Sequence, residues 1–196
     1  MRIEQLLGKF GLKGINYEPT TGGRGLLSVE EQIASVGICW QESPAGWLLL
    51  FVEVCNDALA YSQLHTIMKA EANRHLANMR GSYPDQALDA LAATAIHEAA
   101  TLTGRVCPEC NGAGKVKTAS RHMRKCAACK EGRIPWNNET RFARFAQELP
   151  VTFGRFNRYK PALEHLVDWL TMGRTAALLA IEGRLEKEKE EARKVA

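Results

Sequence analysis

Two Cys-x-x-Cys pairs, Cys107-Pro-Glu-Cys110 and Cys126-Ala-Ala-Cys129, are separated by fifteen residues. That spacing lies in the window in which four thiolates close tetrahedrally around one zinc ion, so the chain between the pairs must fold back on itself. Each pair supplies two ligands from one tight turn. Gly112 and Gly114 behind the first pair and Gly132 behind the second allow the backbone conformations such a knuckle needs. A disulfide or a redox-active pair is the competing reading, and the lack of a thioredoxin-like strand pattern around either pair speaks against it. Four cysteines fill the coordination sphere and leave no position for a reactive water, so the expected zinc is structural. His122, between the pairs, is read as an exposed loop residue, and Cys39 and Cys55, each alone in apolar surroundings, as core thiols.

The charge is concentrated around the same cysteines. Residues 1–104 hold 7 basic and 11 acidic side chains, residues 105–160 hold 13 and 4, and residues 161–196 hold 6 and 7. A middle segment at +9 between flanks at −4 and −1 is the footprint of a surface that meets phosphates or an acidic partner. Four thiolates with Zn²⁺ add two negative charges, which still leaves about +7. At 196 residues the chain can bury a core without covalent staples. Its longest wholly apolar stretch, Trp47 to Val52, is far shorter than the roughly 20 residues of a membrane helix. No apolar run follows Arg2, so a soluble, cytoplasmic protein with no membrane partner is expected.

The pattern along the chain is helical. Residues 1–25 are rich in glycine and read as a flexible arm. In a helical region over 26–104, Ser28 with Glu31 forms a capping-box pattern ahead of Val29, Ile33, Val36 and Trp40, up to a break near Pro44. The apolar run from Trp47 leads on to Leu64, Ile67, Met68, Leu76 and Met79, as one helix or two. Pro84 and Asp85 start the clearest helix, whose stripe of Leu88, Leu91, Ala92, Ala95, Ala99 and Leu102 stops at Gly104. The knuckle occupies 105–134. Over 135–173, Phe142, Phe145 and Leu149 mark a short helix ended by Pro150, and Phe156, Leu163, Leu166, Val167 and Leu170 mark a second. Residues 174–196 read as a separate, fraying C-terminal helix.

Arg141, Arg144, Arg155, Arg158 and Lys160 lie off those stripes, and two short helices joined at Leu149-Pro150 have helix-turn-helix proportions. Together with Lys115, Lys117 and Arg121 in the loop between the cysteine pairs, they are the candidate DNA-binding residues. The expected fold is therefore mainly α: a helical domain with an inserted four-cysteine zinc knuckle and a helix-turn-helix-like basic segment. His97-Glu98 has Thr101 where a zinc protease needs its second histidine, and phosphate-loop and nucleophile-elbow motifs do not occur. No catalytic residues are expected, and His65, His75 and His165 read as ordinary surface or boundary residues.

The run Cys107-Pro-Glu-Cys110-Asn-Gly-Ala-Gly114 resembles a DnaJ-type knuckle, although the second pair departs from that glycine pattern as Cys129-Lys-Glu-Gly132-Arg. A helical N-terminal half, a two-knuckle zinc site, a basic segment with Tyr159-Lys160-Pro161-Ala-Leu163 and a C-terminal helix together resemble the Q late-gene antitermination proteins of lambdoid phages, over about residues 26–185. The resemblance implies a non-enzymatic regulator in the cytoplasm of a bacterial host. Such a protein binds a double-stranded DNA element of the late promoter and RNA polymerase paused with its sigma factor, and makes that polymerase read through terminators. It implies zinc on Cys107, Cys110, Cys126 and Cys129, and DNA facing Arg141, Arg144, Arg155, Arg158 and Lys160. Self-association is left open. A zinc-knuckle chaperone, or a nucleic-acid-processing enzyme with structural zinc, is the alternative; no His-Pro-Asp tripeptide is present to trigger a DnaJ partner.

Overall fold

The computed structural model describes residues 29–78, 83–117 and 121–195. The expected N-terminal arm, Ser28, Met79 and Gly81 lie outside them. The protein is mainly helical, at 69% helix, with a four-cysteine cluster inserted between helices. In chain order the elements are α1 (Val29–Cys39), a 3-10 turn (Trp40–Glu42), α2 (Pro44–Cys55), α3 (Ala58–Ala77) and α4 (Asp85–Ala100). The strands β1 (Arg105–Val106), β2 (Lys115–Lys117), β3 (Met123–Lys125) and β4 (Arg133–Ile134) follow, then α5 (Asn138–Glu148), α6 (Phe153–Phe156) and α7 (Lys160–Val195). Among the described residues no helix is long and apolar enough to cross a membrane.

Among the described residues two compact units form, one from residues 29–64 together with 169–195, the other from those between His65 and Asp168. In the first, Trp47 is fully buried with Val36, Cys39, Leu50, Ala177 and Ile181, and its indole N–H donates to the Cys39 carbonyl at 3.0 Å. Pro44 opens α2, where its missing N–H costs nothing. The Ser43 hydroxyl donates to the Gly173 carbonyl at 2.8 Å. A Cβ on Gly46 would be driven into that same carbonyl, so only glycine lets the two backbones approach this closely.

The apolar run from Trp47 does not continue into one helix. Asn56 is left-handed at φ 50° and caps α2, its N–H meeting the Phe51 and Val52 carbonyls. Asp57 then accepts from the N–H groups of Leu59 and Ala60, at 2.8 and 3.2 Å, and starts α3. Adjacent C-cap and N-cap residues thus divide what hydrophobic spacing alone leaves continuous.

In the second unit α4 is buried over most of its circumference, from Ala87 to Ala99. Lys69 of α3 holds its exposed edge by pairing with Asp85 at 2.7 Å and Asp89 at 2.9 Å. Thr94, fully buried, satisfies its hydroxyl on the Ala90 carbonyl at 2.7 Å. An aromatic cluster packs α5 on α6: Phe142 and Phe153 stack edge to face at 5.3 Å, and Phe145 lies 5.3 Å from Phe156 and 5.1 Å from Tyr159.

Two expectations for this region need correction. The second helix expected through Phe156, Leu163, Leu166, Val167 and Leu170 is not continuous: Phe153–Phe156 is a single turn, and Lys160 opens a new helix. Pro161 is the physical reason: its ring would strike the carbonyl of Asn157 in a continuous helix, so a helix holding it must begin just before it. Residues 174–196 are not a separate helix either. Residues 160–195 form one helix of 36 residues, because nothing near Gly173 and Arg174 terminates it and Arg174 is anchored to Glu53 by a two-pronged ion pair at 2.7 and 2.9 Å.

Candidate metal centre and its basic surroundings

The two cysteine turns hold each other in place. The Cys107 N–H donates to the Gly132 carbonyl and the Cys126 N–H to the Gly114 carbonyl, both at 2.9 Å, so each knuckle is hydrogen-bonded to a glycine behind the other. Gly114 also donates to the Cys110 sulfur at 3.3 Å. Antiparallel β1 and β4 close the base, with Arg105 opposite Ile134 and Val106 opposite Arg133. Trp136 ties the exit of the segment to the end of α4, its indole N–H donating to the Thr101 carbonyl at 2.9 Å.

Four sulfurs converge as a result. Cys107 and Cys126 Sγ are 3.9 Å apart and Cys110 and Cys129 Sγ 3.6 Å, with all four within 4.8 Å of one another. Four thiolates around one ion at a metal–sulfur distance of about 2.3 Å stand about 3.8 Å apart, so the observed spacing fits a tetrahedral donor set. It is far too long for disulfides, and none of the described cysteines is joined to another by one. Cys107, Cys110 and Cys126 are buried, and Val116 and Ile134 pack against the cluster. Burial pushes the Cys110 thiol up, but N–H groups of Gly114 and Gly112 and the thiols of Cys129 and Cys107 outweigh it and bring it down to about 7. Burial and the neighbouring Cys110 and Cys126 thiols push Cys129 up to about 12. His122 is exposed and outside the cluster.

Gly132 is the tightest point of the centre. Its φ is +88°, and a Cβ there would be driven into the Gly112 carbonyl of the opposite knuckle. Gly132→Ala is expected to weaken metal binding by about 10- to 100-fold, as loss of ligand support does elsewhere, whereas Gly154→Ala, which meets nothing within 4 Å, should leave it unchanged. Competition with a chromophoric chelator measures both.

The candidate DNA-binding residues divide into two groups. Lys115, Lys117, Arg121, Arg155 and Arg158 are exposed. Arg141 is instead clamped across Glu98, with Nε on one carboxylate oxygen at 2.8 Å and Nη2 on the other at 2.5 Å; its Nη1 reaches Glu164 at 3.3 Å. Arg144 pairs with Glu148 at 2.9 Å and is 14% exposed, and Lys160 is 3.8 Å from Glu164. Glu98 was within reach of sequence reasoning: it follows Leu91 by seven and Ala95 by three on the α4 stripe, and a carboxylate on a buried stripe requires a cationic partner.

Of the histidines, His75 and His165 stack at 4.1 Å, with His165 Nε2 3.5 Å from buried Glu71. Burial and the His165 charge hold His75 below its ordinary value. Burial and the charges of Arg144 and Arg105 do the same to His97.

Fold and site together define a mainly helical protein whose four cysteines are placed to hold a metal ion. No protein-family model and no curated protein matches the chain.

Proposed function

We propose that this protein is a phage late-gene transcription antiterminator of the lambdoid Q type, acting in the bacterial cytoplasm through a late-promoter DNA element and through promoter-proximally paused RNA polymerase with its sigma factor. The observation that carries the reading is the clamped basic segment: four cysteine sulfurs placed to hold a metal ion fix a stretch in which Lys115, Lys117, Arg121, Arg124 and Lys125 are exposed. A single closed all-sulfur set suits zinc, bound here by Cys107, Cys110, Cys126 and Cys129, in a structural role. Exposed Lys115, Lys117, Arg121, Arg155 and Arg158 supply phosphate contacts, the term that dominates DNA affinity. A regulator that travels with polymerase also needs a protein-binding face, and the −4 N-terminal portion offers one of different charge.

A reconstituted transcription reaction tests this. On a template with the late-promoter element, the pause site and a downstream terminator, the protein is expected to increase readthrough only when element and pause are both intact. Equal readthrough without the element, or none on the complete template, overturns the proposal and favours a chaperone role.

A further inference from the structure

The β2–β3 hairpin pairs like charges. Lys115 stands directly opposite Lys125, Val116 opposite Arg124, and Lys117 opposite Met123. Side chains alternate between the faces of a strand, and directly opposed residues share a face. Val116 packs against the sulfur cluster, so the other face carries Lys115, Lys117, Lys125 and Met123. All four are exposed, Met123 at 61%. Cross-strand lysines repel, and no acidic residue occurs between Glu109 and Glu131 to relieve them. Among the described residues none of Lys115, Lys117, Arg121, Arg124 and Lys125 takes part in an ion pair. The fold thus maintains an unfavourable concentration of positive charge that an external polyanion would relieve.

We infer that the β2–β3 ribbon, and not the α5–α6 helix pair, is the element that enters the major groove of duplex DNA, with Lys115, Lys117 and Lys125 on phosphates and Met123 toward the base edges. This rests on the DNA-binding reading above and specifies its surface. Two strands about 4.8 Å apart, with their side chains, match a B-form major groove about 12 Å wide. The deep, narrow major groove of A-form RNA does not admit them. An exposed methionine among lysines suits apolar contact with a thymine methyl. The helix pair is poorly equipped by comparison: Arg141 and Arg144 are engaged with Glu98 and Glu148, and α6 is only one turn long. The ribbon is also rigidly based, since β2 begins directly after Gly114 and β3 ends directly before Cys126, two residues hydrogen-bonded to each other.

The test compares full-length, metal-containing wild type with Lys115→Gln/Lys117→Gln/Lys125→Gln and with Arg155→Gln/Arg158→Gln. Fluorescence anisotropy follows binding to a 30-base-pair mixed-sequence DNA duplex over a range of NaCl, with the matching RNA duplex and DNA single strand as controls. Each lost phosphate contact lowers the log–log salt slope by about 0.9. The ribbon variant should therefore lose about 2 to 3 units of slope and about 100-fold in affinity near 0.15 M salt, while keeping its metal. Replacing mutually repelling exposed lysines should leave resistance to urea no lower than wild type, and the single Lys117→Gln should lose about one unit of slope. An unchanged slope in the ribbon variant, with loss in the Arg155/Arg158 variant, overturns the inference and leaves DNA binding intact. Wild type that binds no duplex overturns the functional reading itself. Tighter, ribbon-dependent binding to the RNA duplex or the single strand replaces DNA as the partner of this surface.

Discussion

Replacing Arg141 by alanine is expected to destabilise the protein by about 3 kcal/mol, the lower end of what breaking a buried ion pair costs. The carboxylate left behind decides the magnitude. The Glu98 side chain is 6% exposed and receives both of its short hydrogen bonds from Arg141, so removing the guanidinium strands a charge away from water. The Arg141 side chain keeps 19% exposure, which admits some compensating solvent. Glu98→Gln should cost less than Arg141→Ala, because a neutral amide needs no counter-charge. The double variant Glu98→Leu/Arg141→Met should recover much of the loss, since an apolar pair of similar volume leaves nothing unpaired. Urea denaturation of the four proteins measures this, and a double variant that loses as much stability as Arg141→Ala would show that the two side chains do not act as a pair. Weaker nucleic-acid binding by Arg141→Ala would then be traced to the fold before it is assigned to a lost phosphate contact.

The second large effect is expected on removing the metal. A strong chelator should release residues 105–134 from protection while most of the helical signal survives, because the helices are held by cores to which the knuckle does not belong. Hydrogen exchange resolves the difference. The Cys107 and Cys126 amides, bonded only to glycine carbonyls of the opposite knuckle, should lose protection, and the buried α4 amides should retain it. Acidification should mimic the chelator, since protons compete with the metal for thiolates. Global unfolding on chelation would mean that the knuckle nucleates the helical core, contrary to the separation of the two clusters.

The metal centre was the most legible part of this chain, because ligand spacing is a local constraint that survives whatever the helices do. The α4 stripe was equally readable, since a sixteen-residue helix buried over most of its circumference repeats its pattern several times. Hydrophobic spacing left one helix or two open over α2 and α3 because Asn56-Asp57 carries no glycine or proline, although an αL cap followed by an N-cap needs neither. The continuity of α7 was hidden by Gly173, which in an isolated helix weakens the element but here is where Ser43 and the α2 backbone make their close approach. Arg141 and Arg144 looked like free cations because a helical stripe identifies what is apolar, not which carboxylate a neighbouring helix will present. The exposed ribbon face depended on register: two short strands of Lys-Val-Lys and Met-Arg-Lys put three lysines on one side only when Lys115 meets Lys125.

The measurement that bears most directly on this account is the mass of the intact chain under native conditions, set beside its mass after denaturation in acid. One zinc ion per folded chain is expected, with the protons of the cysteine thiols displaced, and loss of that ion when Cys107, Cys110, Cys126 and Cys129 are replaced together by serine. A metal-free folded chain, or one lighter than its reduced form because the same cysteines are joined as disulfides, would contradict it.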